Sequence, residues 1–118
     1  KNMEILVNHA HIFQEEVRKD GTVAALKEFM DECGIDKAMC FGPFSNYFHG
    51  DGESPNRWMY EQIKNEDRLM AFGTIDFTKD NLKEQTEEIY QFYREYKKTV
   101  IVFLVYQCRI WKLNINHH

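Results

Sequence analysis

The 118 residues are enough for one domain with a buried core and too few for two. A hydrophobic content of 43% and a charged content of 29% argue against disorder, and the longest apolar run, Val100 to Val105, falls far short of the roughly 18 residues of a spanning helix. The net charge of −4 conceals an asymmetry: residues 1–95 hold all 19 acidic side chains against 11 basic ones, whereas 96–118 hold Lys97, Lys98, Arg109 and Lys112 and no acid. Four charges interrupting an apolar, β-rich stretch do not make a nucleic-acid-binding face.

Taken in chain order, Ile5-Leu6-Val7 is a short β-branched run suited to a strand buried on both faces. Residues 12–21 are polar and end in the turn signal Asp20-Gly21. Val23, Leu26, Met30 and Cys33 then recur at helical spacing, Phe29 widens the stripe, and Gly34 sits where the residue after a helix should. Ala38-Met39-Cys40-Phe41 is a second buried strand, closed by Gly42-Pro43. A polar and aromatic loop follows, and Ser54-Pro55 then opens a helix, the hydroxyl as N-cap and the proline at the first helical position, running to about Glu66. Leu69 to Ile75 is a third strand. Thr78 or Asp80 caps a third helix whose stripe is Leu82, Ile89, Tyr93 and Tyr96, and a fourth strand is expected at 100–105.

This β-α-β-α-β-α-β order predicts a parallel sheet with crossover helices. The strands open near residues 5, 37, 69 and 100, intervals of 32, 32 and 31 residues. A (β/α)8 barrel of about 250 residues averages about 31 per unit, so the period fits the first half of a barrel; a flavodoxin-like open sheet has the same alternation and stays open as the rival. Three cysteines without CxxC spacing (Cys33, Cys40, Cys108) are read as buried or semi-buried thiols of a reducing cytoplasm. No secretory leader opens the chain, and its start at Lys1 rather than Met suggests that a few residues are missing in front.

His9 and His11 carry the chemistry. On a strand, residues i and i+2 project from one face, so two imidazoles point together at the carboxyl end of the first strand, where parallel α/β folds place their ligands. Neutral imidazole is the commonest metal ligand, and two converging rings are half of a typical set.

The segment Leu6-Val7-Asn8-His9-Ala10-His11-Ile12-Phe13 resembles the first strand of the amidohydrolase superfamily, in the branch that includes aminocarboxymuconate-semialdehyde decarboxylase. The likeness continues through Met30-Asp31-Glu32-Cys33-Gly34-Ile35-Asp36-Lys37-Ala38, Asn56-Arg57-Trp58 and Asp67 to Asp76, and covers about residues 3–92. Two other families open a barrel-like fold with a paired histidine: the polymerase-and-histidinol-phosphatase family, whose Ser-Asp-Gly-type loop is missing after His11, and the TatD-type nucleases, which fit the later segments less well.

The resemblance implies that His9 and His11 bind a divalent metal, zinc being the favoured ion. It further implies hydrolysis or non-oxidative decarboxylation of a small carboxylated or cyclic substrate. Two departures stand out. The family usually has Asp two residues before the first histidine, where this chain has Val7 with Asn8 beside it. The remaining ligands belong to strands beyond this chain, and His117 and His118 at the terminus do not replace them. Beyond Phe92 the likeness stops and Ile, Val, Phe, Tyr, Lys and Asn dominate, as in a tail read out of frame from A/T-rich DNA.

The remaining candidates have simpler readings. His49 is a solvated loop histidine before it is a substrate contact, and Gly50-Asp51-Gly52 lacks nucleotide-loop spacing and reads as a turn. Asp76 caps the following turn before it serves as a barrel-mouth carboxylate. Trp58 with Phe44, Tyr47 and Phe48 packs rather than lining an aromatic pocket, and Glu15-Glu16 and Glu87-Glu88 are solvated faces.

The expectation is therefore an α/β chain forming the N-terminal half of a (β/α)8 barrel from residues 1–95, with four parallel strands and three crossover helices. Residues 96–118 are a divergent tail, either a fourth strand or an out-of-frame extension. The chain alone is expected to be cytoplasmic, inactive and prone to self-association through half-barrel surfaces, with a small-molecule substrate as family partner and neither nucleic acid nor membrane. The alternative is a small non-enzymatic open-sheet binding domain.

Overall fold

The computed structural model describes residues 3–43, 48–50 and 53–96, and the backbone of 99–104. Expectations for Phe44, Tyr47, Asp51-Gly52, Lys97, Lys98, Cys108, Arg109, Lys112, His117 and His118 lie outside the described residues. The elements are β1 (Leu6–His11), a 3₁₀ turn (Lys19–Gly21), α1 (Val23–Cys33), β2 (Lys37–Phe41), α2 (Pro55–Ile63), β3 (Leu69–Thr74), α3 (Leu82–Tyr96) and β4 (Thr99–Leu104). The four strands form one parallel sheet in the order β1-β2-β3-β4. That order lacks the reversal of a flavodoxin-like sheet.

Local chemistry sets the helix boundaries. The Thr22 hydroxyl accepts from the Ala25 amide at 3.2 Å to start α1, and Gly34 ends it at φ 70°, a left-handed conformation that costs a residue without a β-carbon little. Ser54 caps α2 by accepting from the Arg57 amide at 3.0 Å, with Pro55 in the first turn. The helix stops at Ile63, three residues short of the sequence expectation. Neither Thr78 nor Asp80 precedes α3 directly; the residue before it is Asn81, whose carbonyl accepts from the Gln85 amide at 3.0 Å and whose side chain accepts from the Gln85 side-chain amide at 2.9 Å.

Each helix contributes to one core. Met30 of α1, Met59, Tyr60 and Ile63 of α2, and Phe92 of α3 pack with Ala38, Cys40, Leu69 and Ala71 of the sheet. Alternation along a strand therefore puts the even residues of β2 and the odd residues of β3 under the helices. Gly73 continues that row: a Cβ there would lie 2.5 Å from the Ile89 side chain, so α3 sits directly on the strand. Phe41 and Phe72 occupy the opposite face, their rings 4.8 Å apart.

Several sequence expectations are corrected. β1 is an edge strand, and Leu6 is 53% exposed rather than buried on both sides. Phe29 is 53% exposed, because the apolar stripe of α1 is narrower than its composition suggests. On α3 the buried stripe runs through Ile89 and Phe92, with Leu82 and Tyr96 half-buried; Tyr93 lies on the solvent side against Tyr90. Cys33 is exposed, whereas Cys40 is buried. Among the described residues, no helix is long and apolar enough to cross a membrane.

Candidate functional site

A register break in β1 aims the histidines. Val7 pairs with Ala38 and Ala10 with Cys40, so three steps along β1 match two along β2. This is a β-bulge, and it reverses the alternation of everything after it. Val7 and Ala10 both pack against the helix-covered core. Were the strand to alternate strictly with no register break, His9 and His11 would share Val7's face and point into that core. With the break, they point to the opposite face, where His11 pairs with Phe41.

There the two rings meet. The Nε2 atoms of His9 and His11 lie 3.0 Å apart, with ring centroids separated by 4.9 Å in an edge-to-face arrangement. Phe41 lies beside both, 4.5 Å from the His9 ring and 5.6 Å from the His11 ring. His9 is exposed and His11 half-buried. Burial holds the His11 pKa below the ordinary imidazole range, the neighbouring His9 pushes it further down, and a hydrogen bond with the Gly42 backbone partly offsets both. His11 therefore favours the neutral form, which is the form that donates to metals.

The donor set can be tested against an ion. Two nitrogens each about 2.1 Å from one tetrahedral zinc stand roughly 3.4 Å apart, a small opening from the 3.0 Å of the metal-free pair. The pair fits as two ligands of one cation. Among the described residues, no group of three or more His, Cys, Asp or Glu side chains is arranged to hold a metal. Cys40 is no substitute ligand: it faces the core, and burial raises its thiol to about 12.

The other candidates separate from the pair. The backbone of His49 is clasped by the Gln14 side chain, which donates to its carbonyl at 2.6 Å and accepts from its amide at 2.9 Å, and the residue is exposed. Asp76 accepts from the Thr78 amide at 2.9 Å and forms the turn expected of it, while its backbone is held by Gln85 at 2.8 and 3.1 Å. Trp58 packs partly against the core and lies 6.1 Å from Phe48. A polar cleft of about 410 Å³ opens between the starts of α2 and α3, with Asn56, Thr74, Asp76 and Gln85 among its walls and neither histidine contributing.

Sequence reasoning missed the Asn56–Thr74 pair, which is buried. The Asn56 amide donates to the Thr74 carbonyl at 2.8 Å, and its oxygen accepts from the Thr74 amide and hydroxyl, each at 3.1 Å. Asparagine beside the helix-entry proline was the available signal; its partner 18 residues later carried none. Compared with known protein families, characterised proteins and solved structures, the chain matches none.

Proposed function

We propose that this chain is the amino-terminal half of a (β/α)8 barrel of the amidohydrolase type, with His9 and His11 donating to a divalent metal at the barrel mouth, zinc being the favoured ion. One observation carries this reading: two imidazole Nε2 atoms held 3.0 Å apart at the carboxyl end of the first strand of a parallel sheet. Support comes from the uninterrupted β1-β2-β3-β4 order, helices packed on one face, and the spacing of about 32 residues between strands.

The reaction is hydrolysis or non-oxidative decarboxylation of a small carboxylated or cyclic molecule. A bound divalent ion supplies either an acidified water or a counter-charge for substrate oxygens. The chain's own contribution is to aim two imidazoles with the bulge and to keep His11 in its neutral, donating form. Two donors are half of a ligand set, so these residues alone bind more weakly than a complete site and turn over no substrate. Among the described residues β1 and β4 are each paired on one side, and such edges favour self-association of the isolated chain.

Zinc titration by calorimetry in the wild type and in His9→Ala tests the reading. Binding in the micromolar range that the substitution abolishes is the expected result. No zinc-dependent heat in either protein sinks the metal reading and leaves an open-sheet α/β domain without metal chemistry.

A further inference from the structure

Resting on the metal-pair reading, the geometry points to Phe41 as a positioning residue that sets the His9–His11 separation before any cation arrives. Three observations converge on it. Its ring is 4.5 Å from His9 and 5.6 Å from His11, tilted by 42° and 35°, so one side chain borders both imidazoles. The ring itself is fixed: Phe41 is 4% exposed, packs against Phe72 with centroids 4.8 Å apart and planes tilted by 33°, and its carbonyl accepts from the Ile12 amide at 2.9 Å. The register sets Phe41 directly across from His11.

The two histidines are therefore held unequally. His11 is half-buried and lies against the rings of both Phe41 and Phe13. His9 is exposed, and its described ring contacts are His11 and Phe41. An exposed imidazole samples several rotamers unless a neighbour excludes them, and a ligand pair already in its bound arrangement loses less freedom on binding. Phe41 supplies that exclusion. Removing its flat ring while keeping its volume should free His9 and leave the fold intact.

The test uses Phe41→Met, with Phe72→Met as the control that touches Phe41 but lies outside the described contacts of either imidazole. In zinc calorimetry, Phe41→Met should weaken binding about tenfold, the scale of a lost outer-shell partner, and Phe72→Met by no more than about twofold. In the metal-free protein, proton NMR should show cross-peaks between the His9 and Phe41 rings and between His9 and His11. The His9–His11 peak should be lost in Phe41→Met, with the circular dichroism spectrum unchanged.

Undiminished zinc affinity in Phe41→Met overturns the assignment, as does an inter-imidazole cross-peak that survives at full intensity. Absence of the His9–Phe41 peak from the wild type overturns it without any variant. If the wild type binds no zinc, the metal reading fails and the NMR arm alone decides the positioning role.

Discussion

The guanidinium of Arg68 donates to the Asp31 carboxylate at 2.7 Å across 37 residues of chain. The same side chain reaches the carbonyls of Ile35 at 2.6 Å and Asp36 at 3.1 Å, while the Asp36 carboxylate accepts from the Ile5 amide at 2.7 Å. One arginine thus gathers the end of α1 and the starts of β1, β2 and β3. This clamp lies at the amino end of the strands, away from the histidines, where barrel-like folds keep residues for stability rather than chemistry.

Arg68→Ala should therefore destabilise the fold by about 2–3 kcal/mol, mostly by stranding carbonyls that the fork satisfied. Arg68→Lys should recover only part, since an ammonium cannot span the same acceptors. Urea unfolding measures both; an alanine variant with an unshifted midpoint would remove the clamp from the account.

Asn56 gives a second case. In Asn56→Ala the Thr74 amide, carbonyl and hydroxyl lose their partner in a buried setting, which should cost about 2–4 kcal/mol. Hydrogen exchange offers a local check, because the Thr74 amide should exchange faster even where the global midpoint moves little. Retained protection at that amide would contradict the assignment.

Gly73 and Ile89 make a coupled pair. A methyl at residue 73 would lie 2.5 Å from the Ile89 side chain, so Gly73→Ala should cost about 1–3 kcal/mol through overpacking. Ile89→Ala creates the complementary space. The double variant should be more stable than the two single effects predict, by about 1 kcal/mol or more in a double-mutant cycle. Strict additivity would mean that the helix moves away instead.

The His11 ring predicts a pH dependence with a definite sign. Its folded pKa is lowered, first by burial and then by His9, so the unfolded chain binds more protons between the folded value and the ordinary one of about 6.5. Stability from this group is fully present above about pH 6.5 and falls as pH drops through the folded value. Denaturation midpoints in the presence of a chelator, compared at pH 7.5 and below 6, should show this loss. His11→Gln should flatten it.

Much of the fold was legible in the chain. The 32-residue spacing, the cap pairs Thr22/Gly34 and Ser54-Pro55, and the β-branched runs are local signals, and the elements they predict all form. What stayed hidden needs two segments at once. Tyr93 was taken for Phe92 because the buried row of α3 passes through polar Gln85, which an apolar-only reading skips. The partners of Arg68 and Asn56 lie 18 to 37 residues away and show no pattern in composition. The pairing of His9 with His11 was visible as a spacing, but the face it occupies was not. A strand's alternation can be counted from its own sequence, whereas a bulge exists only relative to its neighbour.

That bulge makes the histidine pair depend on arithmetic more than on chemistry. Any of several residues at Asn8 would preserve the count of three steps between Val7 and Ala10, so substitution there should be forgiving. Deletion of Asn8 should be forgiving too: with one residue fewer, plain alternation takes Val7 to the core and both imidazoles to the opposite face. What would turn the rings among Met30 and Cys40 is a straightened strand of unchanged length, in which His9 and His11 share the parity of Val7. The aim of the pair is thus settled between β1 and β2, by how many residues one strand spends against the other.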